Sequence, residues 1–482
     1  MIQTTGDGGL HWTAVTPPGI QSYWKVFMID AGRFDTRTAY AAVNTLRVSD
    51  MRPHIYRTHD AGKTWKEIVA GMEDAGPVNA VREDPQKRGL LYASTEKGVY
   101  VSFDDGERWG SLRVNLPASS IRDLIVKDND LAVATHGRGF WILDDISRLR
   151  QLGPATSAEE VVLFKPGDAW RVRWNVSTDM PWPKDEPTLP NPPEGTAIDY
   201  YLKSASGPVT LEILTATGRL VRRYTSIDTP APIPDMSAAP VPLHWYRPPQ
   251  LLAATAGMHR FHWDLRYQPL AEAGGRGGLS IQAVPFNSTP APTAPLVPPG
   301  TYTVKLTAGG RSYTQPLTVK QDPRVRTPAV SLNQLYTMMR GSYADAADAS
   351  AALDSARALR EEVTRRRAGS SDAVNAALAT FEKSLDAVIG AAPATSGGRG
   401  GGRGAGASSP ADSLGGVVST LSALARELGA ADTQPTAEQV KAVTAARASA
   451  RRLLTRWGSV STTELSTLNA TLTKAGLEPI KK

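Results

Sequence analysis

The sequence predicts a multidomain chain, β-rich first and α-helical towards its C-terminal end. Three observations carry this. A pattern of the form Ser/Thr-x-Asp-x-Gly-x-x-Trp occurs three times in the first 110 residues. Alternating apolar and polar residues mark more strands from about 158 to 325. From about 330 the composition turns to Ala, Arg, Leu and Glu, with helix-start signals. The expected boundaries are 1–150 for terminal blades of a β-propeller, 158–325 for a β-sandwich and 330–482 for a helical bundle.

The repeats come first. They read Thr5-Gly6-Asp7-Gly8-Gly9-Leu10-His11-Trp12, Thr58-His59-Asp60-Ala61-Gly62-Lys63-Thr64-Trp65 and Ser102-Phe103-Asp104-Asp105-Gly106-Glu107-Arg108-Trp109. Asp7, Asp60 and Asp104 stand 53 and 44 residues apart, a period that suits one four-stranded propeller blade per repeat. The chemistry is that of a turn. The Asp accepts local backbone N–H groups, the Gly at 9, 62 or 106 supplies a positive φ, and Thr5, Thr58 or Ser102 adds a second local hydrogen bond. Trp12, Trp65 and Trp109 fold back as apolar plugs. Upstream of the later boxes, Phe34 to Ala41 parallels Glu83 to Ala93, each a turn leading into a strand. After the third box, Leu131 to Asp145 reads as two apolar strands around Gly137-Arg138-Gly139. His136 and Arg138 lie in that turn. They are the candidate binding residues, with a structural turn role as the alternative.

These residues resemble the BNR, or Asp-box, repeat family, which includes sialidases, plant-polysaccharide hydrolases and the sortilin-type propeller. The closing phrase is similar to bacterial sortilin-like proteins often labelled glycosyl hydrolase. The resemblance implies a partial Asp-box β-propeller in which the boxes are structural. Three boxes and a last blade make three to four blades, at the low edge of the propeller range of four to eight. Met1 also falls almost on the first box. The chain is therefore expected to be a fragment. Its signal peptide and earlier blades would lie upstream, and those blades or a partner chain would close the propeller. The expected location is secreted or periplasmic.

The sandwich follows a Pro-rich shift at Pro181-Trp182-Pro183 and 187–193. Val209 to Ile213 and Leu220 to Tyr224 form a hairpin around Thr217-Gly218. Gly257 to Tyr267 alternates, with Phe261, Trp263, Leu265 and Tyr267 on one face. Thr301 to Leu306 turns at Gly309-Gly310 and returns over 312–320. Together these resemble an Ig-like sandwich of the flagellar hook-capping (FlgD-like) type, which implies a spacer or binding platform. His259 and His262 are three apart on a strand and so point to opposite faces, which argues against a metal pair. His244-Trp245-Tyr246-Arg247 offers an aromatic sugar platform or buried sandwich residues. The glycines at 274–278 lack the strand-to-helix setting of a phosphate loop.

The helical part is expected to start at a capping box, Ser331 to Gln334, and to run to about Arg367. Further helices fit Asp372–Ile389, Ser413–Leu428 and a second capped segment from Thr436 to Trp457. A short helix near Thr463–Ala475 closes the bundle. The Gly/Arg-rich tract at 394–410 reads as a linker rather than an RNA-binding segment.

Composition narrows the function. There are 482 residues, a net charge of +7 and no cysteine. Disulfides, thiolate metal ligands and cysteine nucleophiles are thereby excluded. No dense Lys/Arg stripe supports nucleic-acid binding, no apolar run is long enough to span a membrane, and no cofactor or metal motif is read. Three functions compete. The first is an exported sortilin-like module that binds a protein, peptide or glycan. The second is a glycoside hydrolase of the Asp-box class with its site mainly in upstream blades. The third is an assembly factor for an envelope complex. A hydrolase needs two carboxylates set across a bond, and Asp30, Asp50, Glu67 and Glu83 have no partner legible in sequence. No Gly-x-Ser-x-Gly nucleophile phrase occurs. Binding is therefore the expected activity.

Overall fold

The computed structural model describes residues 1–153, 156, 158–173, 194–205, 207–230, 248–270, 294–367, 371–390 and 412–481. The sequence features at Pro181–Pro183, 187–193, 244–247, 274–278 and 394–410 lie outside them.

The first 143 residues form consecutive antiparallel sheets. Strands β1 (Gln3–Thr4) and β2 (Thr13–Ala14) make a hairpin. Strands β3 (Lys25–Ala31), β4 (Ala39–Asn44), β5 (His54–Thr58) and β6 (Lys66–Glu67) form a four-stranded meander in chain order. Strands β7 (Val78–Glu83), β8 (Leu91–Thr95), β9 (Val99–Ser102) and β10 (Gly110–Ser111) repeat it. Strands β11 (Ile121–Lys127), β12 (Asp130–Thr135) and β13 (Phe140–Leu143) make a three-stranded version.

These sheets stack face to face because their strands are apolar on both sides. Successive residues of a strand point to opposite faces. Leu91 and Ala93 therefore join Tyr40, Ala42 and Ile55 of the preceding sheet, while Leu90 and Tyr92 join Leu124, Leu131 and Val133 of the next. The arrangement is propeller-like.

The next sheets pack around one core. Strands β14 (Val161–Leu163), β16 (Thr196–Leu202) and β19 (Gly257–Trp263) form one sheet. The other contains β15 (Ala169–Arg171), β17 (Thr210–Thr215), β18 (Leu220–Thr225), β20 (Gly300–Ala308) and β21 (Arg311–Gln321), in the order β15-β21-β20-β17-β18. Ile198, Tyr200, Phe261 and Trp263 of the first sheet meet Leu211, Ile213, Val304 and Leu306 of the second. The strand over 257–267 is shorter than expected. It ends at Trp263, and Leu265 takes a left-handed φ of 57°. Leu265 and Tyr267 remain buried in the same core, so the one-faced burial survives without the strand.

The helices are α1 (Ala329–Arg367), α2 (Asp372–Ile389), α3 (Leu414–Gly429), α4 (Ala437–Ser459) and α5 (Leu465–Lys474). Leu335 and Met339 of α1, Ala425 and Leu428 of α3 and Val443 of α4 extend the core of the two sheets. A second core, including Leu353, Leu378, Leu385, Leu421 and Leu468, holds the helices together. One expectation needs correction. Ser331 is not a cap: α1 begins at Ala329, the Leu332 N–H donates to the Pro328 carbonyl, and Ser331 is buried. Proline presets the helical φ and starts the helix earlier. The short last helix is present as α5, and a π-helical turn at Val460–Glu464 joins it to α4. Thr436 and Gln439 do form the reciprocal cap of α4. Among the described residues, no helix is long and apolar enough to cross a membrane.

Candidate functional site

Meander topology sorts the loops of the first sheets onto two ends. One end holds the three boxes and the turns after β3, β7 and β11. The other, open end holds residues 15–24, 45–53, 68–77, 96–98, 112–120 and 136–139.

At the first end, the boxes share one hydrogen-bond plan. The hydroxyls of Thr5, Thr58 and Ser102 donate to Asp7, Asp60 and Asp104 at 2.8, 2.8 and 2.7 Å. Each hydroxyl accepts the N–H of Gly9, Gly62 or Gly106 at 2.9 Å. The N–H groups of His11, Thr64 and Arg108 donate to the same three carboxylates at 2.9, 2.8 and 2.9 Å. That backbone donation is the main reason the Asp7 and Asp60 carboxyls are held down to about 2. The indoles then divide. Trp65 donates to the Val15 carbonyl at 2.7 Å and Trp109 to the Ile68 carbonyl at 2.9 Å, both on the preceding sheet. Trp12 donates within its own turn, to Gly9 at 3.0 Å, and stays 58% exposed.

Asp105, a variable position of the third box, is a residue that sequence reasoning missed. It adopts a left-handed φ of 63°. From there it accepts the Tyr40 hydroxyl at 2.6 Å, the Arg57 guanidinium at 3.0 Å and the His59 ring at 2.9 Å. Burial, and then the Asp105 hydrogen bond, push the Tyr40 hydroxyl far above its ordinary value. Only its place beside Asp104 in the turn could have marked it.

The four candidate acids all have partners. Asp30, buried on β3, accepts the Glu83 N–H at 3.0 Å and pairs with Arg33 and Arg82 at 3.3 Å. Glu83 accepts the Arg33 N–H at 2.7 Å and the Gly89 N–H at 3.2 Å. These carboxylates tie one sheet to the next and have no room for a substrate. Asp50 and Glu67 bracket the His54 ring at 3.4 and 2.6 Å, and that ring lies 4.3 Å from Trp24. The Arg52 side chain chelates Asp50 and holds its carboxyl below the usual range.

The open end differs in character. Tyr23 is 90% exposed at a φ of 68°, and Val114 is 70% exposed at a φ of 43°. Leu46, Val48 and Met51 are exposed between β4 and β5. His136 and Arg138 are exposed on the β12–β13 turn. That turn is fixed by the His136 N–H donating to Ser120 at 2.8 Å and the Thr135 hydroxyl donating to Gly139 at 2.6 Å. Beneath lies a polar chain across three sheets. Asn44 donates to Asn79 at 2.7 Å, Asn79 donates to Glu96 and to the Ile121 carbonyl at 3.1 and 2.9 Å, and Arg122 donates to Glu96 at 3.0 Å. Asn79 is a lone amide in the apolar run Val78-Asn79-Ala80-Val81, which is the signal that could have found it. On the first strands, Phe27, Ile29 and Ile125 are exposed.

The two histidines of β19 are used locally. His259 hydrogen-bonds the Thr255 carbonyl at 2.7 Å and lies 5.0 Å from the Tyr200 ring. The His262 N–H donates to Gln250. Among the described residues, no three His, Asp or Glu side chains are grouped to hold a metal ion.

No protein-family model matches the chain. A stretch of 67 residues is 37% identical to the vacuolar protein sorting/targeting protein 10 of Pyrenophora teres f. teres, over 14% of this chain and 4% of that protein. The protein of the same name from Pyrenophora tritici-repentis is 36% identical over 67 residues, again 4% of its length. This chain thus spans only a small part of the curated relatives it matches. Among solved structures, an ancestral GH74 enzyme is similar over 24% of this chain and 14% of its own, at 20% identity and a TM-score of 0.20. The GH74 xyloglucanase from Xanthomonas campestris is similar over 61% of this chain and 38% of its own, at 14% identity and a TM-score of 0.22. The kind of protein defined here is a propeller-like array of sheets with a short sortilin-like stretch of sequence.

Proposed function

We propose that this chain is the closing portion of an exported Asp-box propeller protein, followed by an Ig-like, FlgD-like sandwich and a helical bundle, and that its open end binds a peptide, protein or glycan. The divisions are those expected from sequence, 1–150, 158–325 and 330–482. One observation carries the binding reading. Exposed Tyr23, Met51 and Val114 share an end with exposed His136 and Arg138. The carboxylates Asp30 and Glu83 of the first strands, by contrast, are buried and bonded to protein. Exposed apolar and aromatic groups beside an imidazole and a guanidinium suit recognition, whereas glycoside hydrolysis needs two available carboxylates.

The test is a peptide and glycan array probed with the full chain, followed by titration of the best ligand. A triple variant, Tyr23→Ser, Met51→Ser and Arg138→Ser, is expected to lose about tenfold or more in affinity, a difference of ~1.4 kcal/mol. Its melting temperature should stay close to that of the parent. Unchanged affinity would overturn the reading, as would turnover of a glycoside by the chain.

A further inference from the structure

Three tryptophans stand in one sequence frame: Trp12-Thr13-Ala14-Val15, Trp65-Lys66-Glu67-Ile68 and Trp109-Gly110-Ser111-Leu112. In each, the middle pair is the outermost strand, β2, β6 or β10. The fourth residue donates its N–H back to the neighbouring strand segment: Val15 to Ile2 at 2.9 Å, Ile68 to Ile55 at 2.9 Å and Leu112 to Val99 at 2.8 Å. The carbonyl of that fourth residue is a seat for the indole of the next sheet. Trp65 fills the seat at Val15 and Trp109 fills the seat at Ile68. Leu112 is the third seat, and among the described residues no indole hydrogen bond reaches its carbonyl.

The sheet that should fill it has three strands. Its register matches its predecessors, since Leu143 pairs with Leu131 as Thr58 pairs with Ala39 and Ser102 with Leu91. Where the earlier sheets carry β6 and β10, no strand among the described residues pairs with the outer side of β13. A groove lies open there, lined by Val99, Leu112, Leu116, Val133, Trp141 and Leu143 among others. Phe140 is 80% exposed and Ile142 is exposed beside it. Edge strands with free backbone groups accept an added strand.

We propose that this groove takes an extended segment of another polypeptide with the form Trp-x-x-(Val/Ile/Leu), added antiparallel to β13. Its indole donates to the Leu112 carbonyl. Its two middle residues pair with Ile142 and Trp141, and its fourth N–H donates to the Phe140 carbonyl. The chemistry of the occupant comes from the two filled seats of the same chain, and the groove borders the open end through Val114.

The probe is the synthetic peptide Lys-Thr-Trp-Lys-Glu-Ile-Val-Ala, the sequence of residues 63–70, added to the full chain. Binding is followed by calorimetry, and amide hydrogen exchange is read over 140–143. Saturable binding with slowed exchange at 140–143 is expected, together with a loss of about tenfold or more when the peptide Trp is replaced by Ala. The open-end triple variant should bind this peptide as the parent does. Absence of saturable binding, equal binding of the Ala peptide, or protection confined to other segments would each overturn the proposal.

Discussion

Arg171 of β15 and Asp432 of the α3–α4 connection, 261 residues apart, meet at 2.6 Å. Arg171 is fully buried, and Arg173 donates to the same carboxylate. Gln321 and Tyr336 add bonds to it at 3.0 and 3.1 Å. One carboxylate therefore ties the two-sheet core to the helices. Asp432→Ala leaves a buried guanidinium uncompensated, which costs about 3–5 kcal/mol. Urea unfolding is expected to show that loss, and a change below about 1 kcal/mol would mean the tie contributes little.

The box tryptophans are not equivalent. Trp109 is 3% exposed and anchored on Ile68, so Trp109→Ala is expected to destabilise the chain by about 3–5 kcal/mol. Trp12 is anchored only within its own turn, and Trp12→Ala should stay within about 1 kcal/mol. The two denaturation midpoints decide this, and equal losses would contradict it.

Two glycines separate strain from crowding. Gly106 has a φ of 87° and a Cβ there would strike Ile68; Gly137 has a φ of 81° with open space around it. Gly137→Ala carries only the left-handed penalty, about 1–2 kcal/mol. Gly106→Ala adds the clash and is expected to cost more, by about 1–3 kcal/mol. Thermal unfolding of the pair checks the order.

Acid should act on the Asp60 box in a specific window. The Asp60 carboxyl is held at about 2 by the Thr64 backbone N–H, then by its side chain. Its folded value lies below the unfolded one, near 4. The stability it contributes is therefore full above about 4 and is lost as pH falls through about 2. At Asp432, burial works against the charge but is outweighed by Arg171 and Arg173, so the direction is the same. An NMR titration of Asp60 with a midpoint near 4 would refute the assignment. In Asp60→Asn, stability should fall less steeply between pH 4 and 2.

Legibility followed the range of the interactions. The box hydrogen bonds lie within four residues of each other, so residue type and spacing announce them. Thr436 and Gln439 show the same for a cap. Asp105 was opaque because its partners Tyr40, Arg57 and His59 sit on another sheet, 46 to 65 residues away. The acids Asp30 and Glu83 failed for that reason too. Ser331 misled because Ser-x-x-Gln describes a cap only where the chain enters a helix, and Pro328 had already started it. The π-helical turn at Val460–Glu464 has no breaker residue to betray it.

The attachment of the two-sheet core to the first sheets has a mechanical side. Arg260 of β19 grips the carbonyls of Asp144 and Asp145 at 2.7 Å each, while Arg150 holds Asp84 at 3.0 Å and Asn129 at 2.6 Å. All four acceptors lie at the box end of the sheets. Tension drawn through the helices would load these guanidinium grips side by side, like threads sharing a weight, before it reached any strand ladder. The loops of the open end would stay slack, so a load on the anchor need not alter what the far end holds.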